Sequence, residues 1–251
     1  MVRVKKRLDQ LLVDRGFCSS REKAKRLILA GAVRVNGRTA TKPGELISPD
    51  ATLEVEEPEK YVSRGGLKLE HALRYFGLDV SGCVAIDIGA STGGFTDCLL
   101  QRGAAKVYAI DVGKGQLAWK LRTDPRVVVM EQTNARYLSI EKMPSGFEPV
   151  DIVVIDVSFI SLEKILPAAV ALLKKSGKIV ALIKPQFEAG KEQADKGKGV
   201  IHDPMVRAAV VEKIRRFVET IGGLKWRGYT ESPIKGPAGN VEYLALIEKE
   251  K

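Results

Sequence analysis

The stretch "AIDIGASTGGFTDCLL", residues 85–100, decides the fold. Apolar and small residues run into Asp87, a glycine-rich turn follows from Gly89 to Gly94, and the pattern then turns helical. Strand, glycine turn and helix start make a ligand cradle, because backbone N–H groups and the positive helix end converge there. The same alternation continues outward. Apolar runs near 83–88, 106–111, 127–130, 151–156 and 178–184 read as strands, helical segments fill the gaps, and one long helix covers about 203–221. This order predicts an α/β domain with an open, mostly parallel sheet. The last stretch, "GLKWRGYTESPIKGPAGNVEYLALIEK", predicts two strands joined by a Gly/Pro turn, an antiparallel pair at one sheet edge.

The chain has 251 residues, 45% of them apolar, enough for one large core and a small satellite domain. Its formal charge of +10 favours a polyanionic partner, nucleic acid or an anionic membrane surface. Cys18, Cys83 and Cys98 are far apart and form no CxxC pair, and His71 and His202 are the two histidines. A disulfide framework and a metal site are therefore not expected. The start, "MVRVKKRLDQLL", has no apolar core of a signal peptide. No apolar run approaches the ~20 residues that span a bilayer. A cytoplasmic protein without a membrane partner is expected.

The charge is unevenly placed. Residues 1–42 hold twelve Lys/Arg against three Asp/Glu, a net of +9. Here "RLDQLLVDRG" carries Leu8, Leu11 and Leu12 at helical spacing, and "SSREKAKRLILAG" predicts a second helix capped by Ser19 or Ser20 and ended at Gly31. Arg21, Lys25 and Arg26 fall on one face of it. "AVRVNGRTA" contains Asn-Gly and predicts a hairpin. Residues 43–59 are acidic, and 60–63 read as a linker. The segment 1–59 is thus a small α+β domain, followed by a larger one over 64–251. The stretch "RLDQLLVDRGFCSSREKAKRLILAGAVRVNGR" resembles the RNA-binding domain shared by a ribosomal small-subunit protein, pseudouridine synthases and tyrosyl-tRNA synthetases. The resemblance implies binding of structured RNA through phosphates and shape. The residues expected to meet RNA are Arg3, Lys6, Arg7, Arg21, Lys25, Arg26, Arg34 and Arg38, with Arg64 beyond the linker.

The ligand of the glycine loop follows from what the loop lacks. A phosphate-binding NTPase loop needs GxxxxGK, and no Lys stands there; a dinucleotide fingerprint needs GxGxxG, which residues 89–94 do not match. Asp111 lies 22 residues after Gly89, at the end of the next predicted strand, where a carboxylate can hydrogen-bond two ribose hydroxyls. Asp87 can face an ammonium. An adenosyl ligand with an amino-acid tail is S-adenosylmethionine; a degenerate dinucleotide site or a structural turn are the other readings. "DIGASTGGFTDCLL" and "IDVGKGQL" resemble the first two motifs of FtsJ-like RNA 2′-O-methyltransferases. The resemblance implies cofactor contacts from Asp87, Gly89, Ala90, Ser91, Thr92, Gly93, Gly94, Phe95, Asp111, Val112 and Asp156, with Asn134 in "EQTNARYL" beside the adenine or simply capping a helix.

Charged residues at strand ends point to the chemistry. Asp156 ends the fourth strand and Lys184 the fifth, where such sheets open onto their crevice, although strand termination alone would place them there too. The "IDVSF" segment lacks the proline-rich motif of amino-methylating enzymes, and no cysteine stands where pyrimidine C5 methylation needs one. With Lys68 in "SRGGLKLEHAL" and Glu242 in "GNVEYLAL", Asp156 and Lys184 resemble the Lys-Asp-Lys-Glu tetrad of FtsJ-like ribose methyltransferases. A ribose hydroxyl must lose its proton to attack a methyl group. An amine accepts that proton only while neutral, which a neighbouring ammonium and partial burial favour. The resemblance implies one tetrad lysine as base, here assigned to Lys184, with Lys68 its partner and Asp156 and Glu242 as positioning groups.

The whole chain resembles the TlyA family, whose members methylate cytidine 2′-hydroxyls in ribosomal RNA and are often labelled hemolysins. That implies ribosomal subunits as partners and a monomer or weak dimer. A cytolysin or a non-catalytic assembly factor are the rival readings. Residues 185–204 are expected to form a long polar link whose Lys191, Lys196 and Lys198 meet RNA phosphates.

Overall fold

The computed structural model describes residues 4–56 and 59–250, the side chains of Lys191 and Ala194 excepted. The chain divides into two units, Met1–Lys60 and Tyr61–Lys251. The first runs β1 (Lys6–Arg7), α1 (Leu8–Asp14), α2 (Arg21–Leu29), β2 (Val33–Val35), β3 (Arg38–Thr39), β4 (Leu46–Ile47) and β5 (Leu53–Val55). Its helices start and stop on local signals. The Ser20 hydroxyl accepts from Lys23 N at 3.2 Å, and Gly31 at φ +73 closes α2 by donating to Ile28 O. Asn36 and Gly37 both take positive φ, 49° and 77°, as the two-residue turn between β2 and β3 requires. Leu8, Leu12, Ile28 and Val33 are fully buried in this unit's core.

The second unit runs α3 (Gly65–Tyr75), β6 (Val84–Ile88), α4 (Gly94–Gln101), β7 (Lys106–Ile110), α5 (Trp119–Arg122), β8 (Val127–Met130), β9 (Val150–Ile155), α6 (Leu166–Ala171), β10 (Leu173–Ile183), α7 (Pro185–Glu188), α8 (Lys191–Lys196), α9 (Pro204–Thr220), β11 (Leu224–Glu231) and β12 (Tyr243–Lys249). Its seven-stranded sheet has the order β11-β12-β10-β9-β6-β7-β8. Pairing is parallel from β10 through β8 and antiparallel on both sides of β12. Apolar side chains alternate between two clusters, one on each face: Ile86, Ile88 and Ile155 pack on one side, and Ala85, Val107 and Val154 on the other. Such double burial is why these strands read as near-continuous apolar runs.

Four expectations need refinement. The antiparallel pair is at the edge, but the reversed strand is β12, the inner member, inserted between β10 and the outermost β11. β10 starts at Leu173 rather than near 178, because its register with β9 shifts between Leu173 and Lys178, with Ser176 at φ 59. The link at 185–204 is not structureless; it contains α7 and α8. The linker is shorter than 60–63. Tyr61 is 3% exposed in the core of the second unit, its ring fills the space beside Gly66, and Val62 N donates to Asp97 Oδ2 at 2.8 Å.

The chain leaves β6 toward β7 and β8, then returns to lay β9 and β10 on the other side. The crevice between β6 and β9 at their carboxyl ends is therefore the topological switch point, where ligands of such sheets bind.

Candidate active site

Gly89 and Asp156 meet at this crevice. Asp156 N donates to Ile88 O at 2.9 Å, and a Cβ on Gly89 would stand 2.4 Å from Asp156 O. Only a glycine, at φ +84, lets the two strand ends approach this closely. Gly94, at the start of α4, is equally confined, with the Ser63 hydroxyl 2.3 Å from its absent Cβ.

Two cavities open on either side of the contact. The first, about 320 Å³, is lined by Ser63, Arg64, Gly89, Ala90, Ser91, Thr92, Gly94 and Phe95, and by all four of Lys68, Asp156, Lys184 and Glu242. The second, about 430 Å³, is lined by Asp111, Val112, Gln116, Thr133, Asn134 and the apolar Ile110, Ile160 and Ile165. Gly89, Ser91, Asp156 and Ser158 line both, so the two form one crevice.

The polar cavity holds two ion pairs. Lys68 Nζ, on α3, donates to Glu242 Oε2 at 2.6 Å, and the two residues are 7% and 1% exposed. Lys184 Nζ lies 2.6 Å from Asp156 Oδ1 as an ion pair without hydrogen-bond alignment, and it donates to Ser158 Oγ at 2.9 Å. Residues 68, 156, 184 and 242 are thus gathered from one helix and three strand ends.

The loop residues divide by role. Asp111 accepts from Ser91 N at 2.8 Å and Gly113 N at 2.7 Å, so its carboxylate ties the two loops around the second cavity together. Asn134 does both things weighed for it: its side chain accepts from Arg136 N at 3.1 Å as a cap, and it lines the second cavity. Gly93 and Asp87 line neither cavity. The space beside Gly93 is filled by Leu117 and Leu121. Asp87 is fully buried beneath the loop, accepting from Thr96 N and Thr96 Oγ1 at 2.9 and 2.7 Å, while its Oδ1 has no partner. Burial, more than the neighbouring charge of Asp156, pushes its carboxyl up to about 7 despite the Thr96 bonds.

That shift has a sign. The folded state keeps the proton to a higher pH than the unfolded chain, so this carboxyl costs stability progressively from the usual carboxylate range up to about pH 7. Asp87→Asn cannot ionise. Its Tm relative to the native protein is therefore expected to rise from about pH 5 to about pH 8. A pH-independent difference in scanning calorimetry would show an ordinary carboxylate.

Reading by motif missed several groups because they act across the fold. Glu188, 6% exposed on α7, accepts from Ser161 Oγ at 2.6 Å and Leu162 N at 2.7 Å, joining the segments that carry Lys184 and Ser158. Glu131 accepts from Gly115 N at 2.8 Å, pairs with Arg122, and is held down to about 2.

In the first unit, the buried carboxylate of Asp9 binds both Arg7 (3.0 Å) and Arg21 (2.9 Å). These contacts, against the pull of burial, hold it down at about 2. Lys6 pairs with Asp14, Lys25 with Glu22 and Arg34 with Glu56, at 2.6, 2.7 and 3.4 Å. Arg38 has no acidic partner among the described residues, and Arg26 makes no close ion pair, its charge only helping to lower Glu22. Arg3 lies outside the described residues. In the 185–204 segment, Lys196 pairs with Glu192 at 2.9 Å, and the Lys191 side chain is outside the described ones. Among the described residues no helix is long and apolar enough to cross a membrane, and no cluster of His, Cys, Asp and Glu could hold a metal.

Known proteins resemble both units. Residues 61–249 match the FtsJ-like methyltransferase family, and residues 6–53 match the S4 domain. The 16S/23S rRNA (cytidine-2′-O)-methyltransferase TlyA of Mycobacterium tuberculosis is 49% identical over 245 residues, 96% of this chain and 89% of that protein. Hemolysin A of Brachyspira hyodysenteriae is 47% identical over 240 residues, 95% of this chain and 98% of that protein. A solved structure from Streptococcus thermophilus covers 100% of this chain and 90% of its own, with 47% identity and a TM-score of 0.73.

Proposed function

Because the chain belongs to the FtsJ-like methyltransferase family, we propose that it transfers a methyl group from S-adenosylmethionine to cytidine 2′-hydroxyls of ribosomal RNA. In this reading it acts in the cytoplasm as a monomer or weak dimer, with the S4-type unit contributing RNA affinity. The observation that carries the reading is the crevice itself: two lysine–carboxylate pairs in a polar cavity that shares Gly89, Ser91 and Asp156 with a cavity edged by Asp111.

The residues fit the cofactor. Asp111 would hold its ribose hydroxyls and the apolar Ile110 and Ile160 its adenine. The buried Asp87 Oδ1, which has no hydrogen-bond partner beneath the loop, would be left to meet the ammonium of its amino-acid tail. When bound, the cofactor supplies an electrophilic methyl on a sulfonium. The chain's own groups do the rest. Lys184, once its amine has released its own proton to solvent, takes the proton from the ribose hydroxyl; Asp156 holds the ammonium that results, and Lys68, fixed by Glu242, stabilises the charge developing on oxygen.

The reading is tested by incubating the protein with ribosomal subunits and methyl-labelled S-adenosylmethionine, then mapping the label by mass spectrometry. Label on a cytidine 2′-oxygen is expected. Label on a base, or none, overturns it.

The first unit gives a separate prediction. Of the described cations of this unit expected to meet RNA, Arg26 and Arg38 make no close ion pair, Arg26 only lowering Glu22 at longer range, and they are the ones readiest to displace counterions. Arg26→Gln with Arg38→Gln should lower the slope of log affinity against log salt by roughly one per lost contact. Methyl transfer should suffer mainly through KM. Filter binding across a salt series checks it, and an unchanged slope assigns RNA affinity elsewhere.

A further inference from the structure

The polar cavity holds more cations than its carboxylates neutralise. Lys68 is matched by Glu242 and Lys184 by Asp156, each at 2.6 Å. Arg64 and Lys235 line the same cavity, both are exposed, and neither has an acidic partner among the described residues. They come from distant segments: Arg64 precedes α3, and Lys235 stands in the turn between β11 and β12.

That turn is braced by buried polar groups. Ser232, 8% exposed, donates from Oγ to Ile234 O at 2.6 Å. Gly236 N donates to Asn240 O at 2.9 Å. Asn240 is 2% exposed; its side chain accepts from Ile201 N at 2.9 Å and donates to Gly199 O at 2.8 Å. A turn fixed at both ends loses little entropy when it engages a ligand. Of the turn residues that line the cavity beside Glu242, namely Ile234, Lys235 and Pro237, the charged one is Lys235.

We propose that Arg64 and Lys235 grip the phosphodiester on the 3′ side of the ribose that is methylated. This rests on the ribose-methylating reading above. The two groups, hydroxyl and phosphodiester, are linked covalently. The carbon that bears a 2′-hydroxyl is bonded to the carbon that bears the 3′-phosphate, so a cavity that takes in the 2′-oxygen takes in that anion with it. The two paired lysines are already neutralised. The two unmatched cations meet the phosphate, the guanidinium as a planar fork and the ammonium as a point charge. The amino-acid carboxylate of the cofactor is the other anion of similar chemistry that could reach them, and the test separates the two.

The test uses the full chain with Lys235→Gln, Arg64→Gln and both together. Three quantities are read: KM and kcat for ribosomal subunits, the salt slope of RNA binding, and the S-adenosylmethionine Kd by calorimetry. Each single change should raise the RNA KM roughly ten-fold and flatten the salt slope by about one, with cofactor Kd unchanged. Lys235→Arg should recover the slope. A short RNA substrate with an uncharged methylphosphonate 3′ to the target ribose should bind native protein and double variant equally. Weaker cofactor binding with an unchanged RNA slope would assign the cations to the cofactor carboxylate and overturn the proposal. Unchanged values throughout would overturn it as well. If native protein labels no ribose, the functional reading fails instead, and the salt slopes still report whether these cations bind RNA.

Discussion

Lys184→Ala is expected to lower methyl transfer at saturating RNA and cofactor by at least ~10²-fold, the effect of removing a general base. The fold should survive. Lys184 stands at the end of β10, beyond the last paired residue of the strand, and its partner Asp156 has a side chain 21% exposed to water. Cofactor affinity should change by less than about ten-fold, since the cavity edged by Asp111 is untouched. Lys184→Arg separates proton transfer from charge. A guanidinium can keep the ion pair with Asp156 but cannot be deprotonated in a protein. Arginine should therefore be almost as inactive as alanine. Near-native turnover in Lys184→Arg, measured in single-turnover assays, would make this residue an electrostatic holder and move the base elsewhere.

Breaking the other pair should cost stability as well as rate. Lys68 and Glu242 are buried together, and removing one leaves the other charged without a partner. Lys68→Ala or Glu242→Ala should each destabilise the second unit by about 3–5 kcal/mol in urea unfolding. Replacing both by apolar groups of similar shape, Lys68→Met with Glu242→Leu, should recover much of that loss, because a buried pair seldom outperforms a packed apolar contact. Methyl transfer should stay absent in the repaired protein. Single losses below about 1 kcal/mol would mean the pair is solvated in solution. Recovery of both stability and turnover in the double variant would remove the pair from the chemistry.

Much of this arrangement is legible in the sequence, and the boundary is physical. The parallel strands announce themselves because both of their faces are buried. Ser20, Asn36 and Gly37 act within a few residues of themselves, so their turns and caps follow from local rules. Residues 68, 156, 184 and 242 are recognisable because their motifs resemble known ones, and the structure brings them to one cavity. What escapes is settled by partners far along the chain. Asp9 carries no signal of its own in the sequence, yet it organises Arg7 and Arg21 from the core. The burial of Asp87 beneath the loop, with one carboxylate oxygen unpartnered, is likewise not readable from its motif. Glu188 and Asn240 sit in segments that read as loops, and their buried hydrogen bonds cross 26 to 41 residues of sequence.

The insertion of β12 has a consequence for how the protein is made. A ribosome synthesises β10, then β11, then β12. Among the strands, the sheet neighbour of β11 is β12. Until β12 arrives, β11 has nothing to pair with, and the edge of β10 stays open. Closing this side of the sheet is therefore one late, long-range step, of the kind that is slow and exposed to misassembly. The same step carries Glu242, the residue before β12, to Lys68. A nascent chain still lacking that strand has its glycine loop but an unmatched Lys68, so completion of the sheet and assembly of the charged cavity become a single event in the life of each molecule.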